Sequence, residues 1–263
     1  MKTLPKTALA REGKRWLKDF RARTSMSLTR LRGGRIIHLL HIGKTGGNAI
    51  RNGLGLNKQH IMSFPGGLVI QHPHETTLPM CPAGECVTFV VRDPMSRFVS
   101  GFWSRFRKGR DGRNAWSAEE AEAFARFQTP DALGRALSDS DPEIRATAER
   151  AMTEIEHVRD KLVHYLISPD YVYSRHADIL DIGFIGNLSQ YFDNLTLCLN
   201  TNNVPGLPTD TYFAHRTPES FPKELSWEAA ENLRSWYAED IEIYDACCEL
   251  SGRDSGTPLS AHA

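Results

Sequence analysis

Short apolar runs alternate with longer amphipathic segments along most of the chain. The clearest runs are residues 35–42 and 86–91, and each ends at a segment that favours a turn. Continuous apolar runs of this length are typical of strands buried in a parallel sheet. A third run, residues 181–186, predicts a further strand. The pattern therefore predicts an α/β fold with a central parallel sheet.

Helical segments follow the predicted strands. Residues 48–56 and 95–106 come after the first two runs, and residues 188–199 come after the third. Two successive strand–turn–helix units place helices against a parallel sheet. Residues 227–250 have an amphipathic pattern that predicts one closing helix.

One domain accounts for most of the length. A chain of 263 residues with 40% hydrophobic content buries one sizeable core rather than two. We assign residues 35–250 to this domain, with a charged helical excursion over 108–167 as a candidate acceptor-binding region. Residues 1–34 form a basic arm, and we expect residues 251–263 to be a disordered tail.

Charge is balanced overall but uneven locally. Lys plus Arg number 32, as do Asp plus Glu, so no long-range field favours nucleic acid as a partner. The arm carries ten Lys and Arg residues against Glu12 and Asp19. Two interpretations stay open for it: contact with an anionic polymer or membrane headgroups, and a solvated tail. The weak apolar face favours the tail.

The cysteine pattern and the absence of long apolar stretches indicate a cytoplasmic protein without a metal. The five cysteines are odd in number and lack the C-x-x-C spacing of zinc sites. We expect reduced, partly buried thiols. No stretch approaches the roughly 20 apolar residues of a membrane helix, and no secretory signal is evident.

The turn after the first run has the composition of an anion-binding loop. It reads His41-Ile42-Gly43-Lys44-Thr45-Gly46-Gly47-Asn48. Glycines let backbone N–H groups converge, and Lys44 adds a full positive charge. A Walker A loop would need Gly at position 38, where the chain has His38, so an ordinary ATP or GTP loop is disfavoured. A plain Gly-rich turn is the alternative.

The turn after the second run supplies an arginine and a hydroxyl. It reads Arg92-Asp93-Pro94-Met95-Ser96-Arg97-Phe98-Val99-Ser100-Gly101-Phe102. Pro94 favours the first position of a helix, and Ser100 lies on that helix. Arg92 and Ser100 together can hold a phosphate. Alternatively, Arg92 pairs with Asp93 or with a helix end.

These two turns resemble the phosphate motifs of carbohydrate sulfotransferases that use 3′-phosphoadenosine 5′-phosphosulfate (PAPS). The first resembles their 5′-phosphosulfate loop, P-K-T-G/A-G/S-T, but has Gly43 and Asn48 at two of its positions. The second matches the 3′-phosphate motif, R-D-P-x-x-R-x-x-S-x-F, completely. The resemblance covers residues 35–250 and implies a P-loop-like three-layer fold and a metal-independent sulfotransferase.

The resemblance also implies roles for individual residues. Lys44 would stabilise the leaving phosphate, and the donor would be held by Lys44, Thr45, Gly46, Gly47, Asn48, Arg92 and Ser100. Arg216 falls where relatives have a basic loop over the donor. In the Gln71-His72-Pro73-His74 segment, His74 is the first choice for the base that deprotonates the acceptor hydroxyl, and His72 is the second.

The last expectations concern the acceptor and two alternative functions. The resemblance implies a carbohydrate or glycolipid acceptor and 3′,5′-ADP as the spent donor. Five aromatic residues could stack on sugar rings, but their helical spacing favours core: Trp103, Phe106, Trp116, Phe124 and Phe127. The rivals are a magnesium-dependent small kinase acting through Lys44 and Thr45, and a non-catalytic nucleotide-binding or glycan-binding protein.

Overall fold

A five-stranded sheet forms the centre of the computed structural model, which describes residues 22–56, 60–109, 112, 114–201, 203–209 and 217–252. The strands are β1 (Arg35–Leu39), β2 (Ile61–Phe64), β3 (Gly67–Gln71), β4 (Cys86–Val91) and β5 (Ile179–Phe184). They are ordered β2-β3-β1-β4-β5. All neighbouring pairs are parallel except β2 with β3, so β2 is an antiparallel edge strand. The predicted α/β class with a mainly parallel sheet is confirmed.

Helices follow and connect these strands. Residues 22–31 are helical and are called α1 here. The further helices of the described residues are α2 (Gly47–Gly53), α3 (Pro94–Phe106), α4 (Ala118–Arg126), α5 (Pro130–Ala136), α6 (Pro142–Glu154), α7 (Leu162–Leu166), α8 (Pro169–Ser174), α9 (Leu188–Cys198), α10 (Trp227–Trp236) and α11 (Ala238–Leu250).

Both faces of the sheet are covered. On one face, β4 residues such as Phe89 pack in a core with side chains of α7, α8 and α11. On the other, β1 residues such as Ile37 pack with α2 and α9. Successive strand residues point to opposite faces, so a strand covered on both sides reads as a continuous apolar run. That double burial explains why β1 and β4 are mainly apolar, with Arg35 at the exposed start of β1 and His38 buried within it.

Helices α3 to α6 and α10 enclose a third core, away from the sheet. Four helices start with the same local device: Asp93, Thr129, Asp141 and Ser168 accept a hydrogen bond from an amide of the first turn, and a proline follows each of them. A capping side chain satisfies a free amide, and proline fits the first helical position because it lacks one.

The closing segment differs from the prediction. It forms α10 and α11 rather than one helix, and Tyr237 between them leaves helical geometry. No Gly or Pro marks the break in the sequence. Tyr237 is buried, and its hydroxyl donates a hydrogen bond to the Val158 carbonyl at 2.8 Å. Tertiary packing therefore sets the break.

The strands also differ from the predictions at their ends. β1 ends at Leu39 although the apolar run continues to Ile42, and β5 begins two residues before the predicted start. The hairpin of β2 and β3 was not predicted.

None of the helices among the described residues has both the length and the apolar character needed to span a membrane. The five cysteines all lie in the described part of the chain, and none of them is in a disulfide.

Candidate functional site

Three neighbouring parallel strands, β3, β1 and β4, end at the same edge of the sheet. The segment with His72 and His74 follows β3, the glycine-rich loop follows β1, and Arg92 follows β4. The strand order reverses direction at β1, because β3 lies on one side of it and β4 on the other. Ligands of open α/β sheets bind at such a divergence, outside the carboxyl ends of the strands.

The loop after β1 is tightly turned. Lys44 and Gly46 have φ angles of 67° and 84°, in the left-handed region. The buried Thr45 hydroxyl donates to the Ile42 carbonyl at 2.9 Å, so this side chain braces the loop. A Cβ at Gly47 would lie 2.2 Å from Cδ2 of His41, a contact that excludes any larger residue. The loop is thus seated directly on the His41 ring.

Arg92 is anchored at the start of α3. Its Nε donates to the Ser96 hydroxyl at 2.8 Å, while Asp93 accepts the Ser96 amide at 2.8 Å as the helix cap. Ser100 is buried and lies one turn further along. Residues four apart on a helix share a face, so Ser96 and Ser100 follow each other along α3. Sequence reasoning named Ser100 but missed Ser96, the hydroxyl that contacts Arg92.

Arg97 joins the two phosphate motifs and was also missed. It is almost fully buried, and its Nε donates to the Gly43 carbonyl at 2.9 Å. Its Nη2 is buried with no hydrogen-bond partner among the described residues. The signal was present, since Arg97 is the second arginine of the R-D-P-x-x-R motif.

The cations of this region repel each other. Burial lowers the pKa of Lys44 to about 8, and Arg92, Arg107 and Arg97 add to this shift through repulsion. Burial likewise lowers the pKa of Arg92 to about 10; Asp93 opposes the shift and Arg97 contributes to it. Several positive charges that are costly to hold together favour a bound anion, which relieves both the desolvation and the repulsion.

His74 has the geometry of a proton acceptor. Its Nδ1 lies 2.8 Å from the His41 carbonyl oxygen, and its ring packs on the His41 ring with centroids 3.8 Å apart. A carbonyl only accepts, so Nδ1 carries the hydrogen and Nε2 keeps its lone pair. The side chain is exposed, yet partial desolvation lowers its pKa, which keeps the imidazole neutral at physiological pH.

His72 is engaged elsewhere. Its Nε2 lies 2.8 Å from His38 Nδ1, and the two rings are stacked. Burial lowers the pKa of His72 to about 4. Of the two histidines considered for the base, His74 is therefore the exposed one, and its Nε2 carries no hydrogen.

The remaining predicted residues have mixed outcomes. Asn48 lies half-buried at the start of α2. Arg216 lies outside the described residues. The aromatic residues considered for sugar stacking mostly form core: Trp103, Phe124 and Phe127 are buried.

The arrangement can bind an anionic group with Lys44 and Arg92, while the neutral imidazole of His74 accepts a proton along the same sheet edge. Such a set of groups suits the transfer of a charged group to a hydroxyl. No protein-family model matches this chain, and a comparison with curated proteins found no significantly similar sequence.

Proposed function

We propose that this protein is a sulfotransferase that moves a sulfuryl group from PAPS to a hydroxyl of a carbohydrate or glycolipid. One observation carries the proposal: Lys44, Arg92 and Arg97 lie close together at the ends of β1 and β4, since Arg92 and Arg97 lower the pKa of Lys44 and Arg97 lowers that of Arg92. The donor class and the acceptor class rest on the resemblance of the two loop motifs.

In this proposal β1, its loop and α2 are a P-loop-like unit within a three-layer fold. The left-handed residues Lys44 and Gly46 turn the chain so that the amides of residues 45–48 converge on the 5′-phosphate and sulfuryl oxygens. Arg92 binds the 3′-phosphate, supported by Ser96 and Ser100. An arginine fork is well matched to phosphate oxygens.

The reaction is an in-line displacement at sulfur. The acceptor oxygen forms a bond to sulfur as the bond from sulfur to the bridging oxygen of the 5′-phosphate breaks. The acceptor proton passes to Nε2 of His74, and the leaving 3′,5′-ADP carries the negative charge. Lys44 stabilises that charge as it develops on the bridging oxygen.

A transfer assay with a matched histidine control tests the proposal. Wild type, His74→Ala and His176→Ala are incubated with sulfur-35-labelled PAPS and a panel of oligosaccharides and galactosyl lipids. His176 is the control because it is exposed and its Nδ1 also contacts a backbone carbonyl, that of Tyr173 at 3.0 Å.

We expect wild type and His176→Ala to label an acceptor. His74→Ala should lose roughly 10²–10⁴-fold in rate, the usual contribution of general base catalysis, with donor affinity nearly unchanged. Full activity of His74→Ala contradicts the assignment of the base. Donor binding without transfer to any acceptor favours the non-catalytic binding protein.

A further inference from the structure

Two histidines and a cysteine meet beneath the candidate site. His38 lies on β1, His72 follows β3, and Cys81 follows the short 3-10 turn Leu78–Met80. One nitrogen of each imidazole and the Cys81 sulfur all lie within 4.8 Å of one another. His38 and Cys81 are 3% and 1% exposed, and His72 is half-buried. This is the spacing of atoms that share one metal ion.

A carboxylate orients the central histidine. His38 Nε2 lies 2.7 Å from Glu85 Oε2, and Arg30 Nη2 donates to the same oxygen at 2.9 Å. Glu85 forms an ion pair with Arg30, so its carboxylate accepts the Nε2 hydrogen of His38. The lone pair of His38 Nδ1 then points into the cluster. A carboxylate behind a histidine is the usual outer support of a metal ligand.

We propose that His38 Nδ1, His72 Nε2 and Cys81 Sγ bind one Zn²⁺ ion. Two imidazoles and one thiolate match the ligand preferences of zinc, whereas magnesium and calcium prefer oxygen. Water completes the tetrahedron from the side of half-exposed His72. The ion links β1, the segment after β3 and the loop at Cys81.

Binding requires two proton movements and a small displacement. The Cys81 thiol releases its proton to solvent, and the hydrogen of His72 moves from Nε2 to Nδ1, so one proton is released per ion. The two imidazole nitrogens, 2.8 Å apart, separate to about 3.3 Å, as tetrahedral zinc–nitrogen bonds of about 2.0 Å require. His72 lies on a loop, so this shift leaves β1 in place.

The proposal is independent of the sulfotransferase assignment, and it replaces the expectation of no metal. That expectation rested on the absence of C-x-x-C spacing, whereas these ligands are 34 and nine positions apart and are brought together by the β3–β1 pairing. His74 follows His72 by two residues. The ion would therefore also steady the segment that carries His74.

Cobalt and zinc titrations of the chelator-treated protein test the site. Wild type should bind one equivalent of Co²⁺ with a thiolate-to-cobalt charge-transfer band, and Zn²⁺ should displace the cobalt and raise the unfolding midpoint. Cys81→Ser should lose the band, whereas Cys198→Ser, at an exposed cysteine, should keep it. Glu85→Gln should keep the band and weaken zinc binding by roughly 10-fold or more.

Several outcomes overturn the proposal. Wild type that binds no stoichiometric ion, or a charge-transfer band that persists in Cys81→Ser, excludes this site. If circular dichroism shows that Cys81→Ser does not fold, the zinc affinity of His72→Gln is measured instead, because His72 is half-exposed. Zinc affinity of His72→Gln equal to that of wild type overturns the assignment, and a loss of at least about 10-fold supports it.

Discussion

At the scale of single residues, the candidate site is marked by cations that repel one another, because Arg92, Arg107 and Arg97 all lower the pKa of Lys44. Lys44 and Arg92 were predicted from the sequence because each follows an apolar run and precedes a helix. Arg97 was not predicted, because its role depends on reaching from α3 to the Gly43 carbonyl. Ser96 rather than Ser100 contacts Arg92, since a residue one turn into α3 is the one within reach.

Lys44 should make donor binding sensitive to alkaline pH. Its pKa in the free protein is lowered to about 8, so it loses its proton as the pH rises through that value. Bound phosphates favour the charged form and raise the pKa, so binding takes up a proton above pH 8. We expect affinity for 3′,5′-ADP to fall about tenfold between pH 7 and pH 9.

Titration calorimetry in two buffers of different ionisation enthalpy measures this proton uptake. The ligand's phosphates are mostly deprotonated above pH 7, because their second pKa is near 6. Lys44→Met should bind more weakly and show no proton uptake at pH 9. If wild type and Lys44→Met take up the same number of protons on binding, the uptake belongs to another group. That result would contradict this account of Lys44.

At the scale of elements, the sequence predicts the buried strands well and the edge hairpin poorly. β1 and β4 lie in mainly apolar runs because helices cover both of their faces, whereas β5 has Asp181 within its run. β2 has four residues and is partly exposed, so it has no such run. The Pro65-Gly66 dipeptide between β2 and β3 was the available signal, because this pair marks turns. Without β3, the position of His74 beside β1 could not be derived.

Arg97 joins the loop of β1 to helix α3, so its replacement should affect both stability and binding. Arg97→Lys removes the Nε donor to the Gly43 carbonyl and should lower the free energy of unfolding by about 2 kcal/mol, as expected for a buried charged hydrogen bond. It should also weaken 3′,5′-ADP binding at least about tenfold, because the two motifs lose their link.

Urea unfolding and calorimetry measure the two effects. Arg135→Lys is the matched control, since Arg135 is exposed and makes a helical i,i+4 pair with Asp131. This change should alter stability by less than about 0.5 kcal/mol. Equal stability and equal nucleotide affinity in the two variants would show that the link is unimportant.

At the scale of the molecule, the chain has no net charge, yet Lys44, Arg92, Arg97 and Arg107 lie close enough together for their charges to repel. The order β3-β1-β4 brings together segments that are far apart in sequence. The balanced composition predicts that any anion recognition is local. The aromatic side chains that could have formed a sugar platform pack mainly into the third core. The acceptor class therefore rests on the resemblance of the loop motifs.

The most direct test of the account compares three nucleotides by titration calorimetry. The ligands are 3′,5′-ADP, 5′-ADP, and ATP with magnesium, each with wild type, Arg92→Ala, and Arg126→Ala as an exposed-arginine control. We expect wild type and Arg126→Ala to prefer 3′,5′-ADP over 5′-ADP by roughly 10- to 100-fold, the value of one charged hydrogen-bonding contact. Arg92→Ala should lose this preference. Equal or tighter binding of ATP with magnesium, or an unchanged preference in Arg92→Ala, would contradict the sulfotransferase assignment.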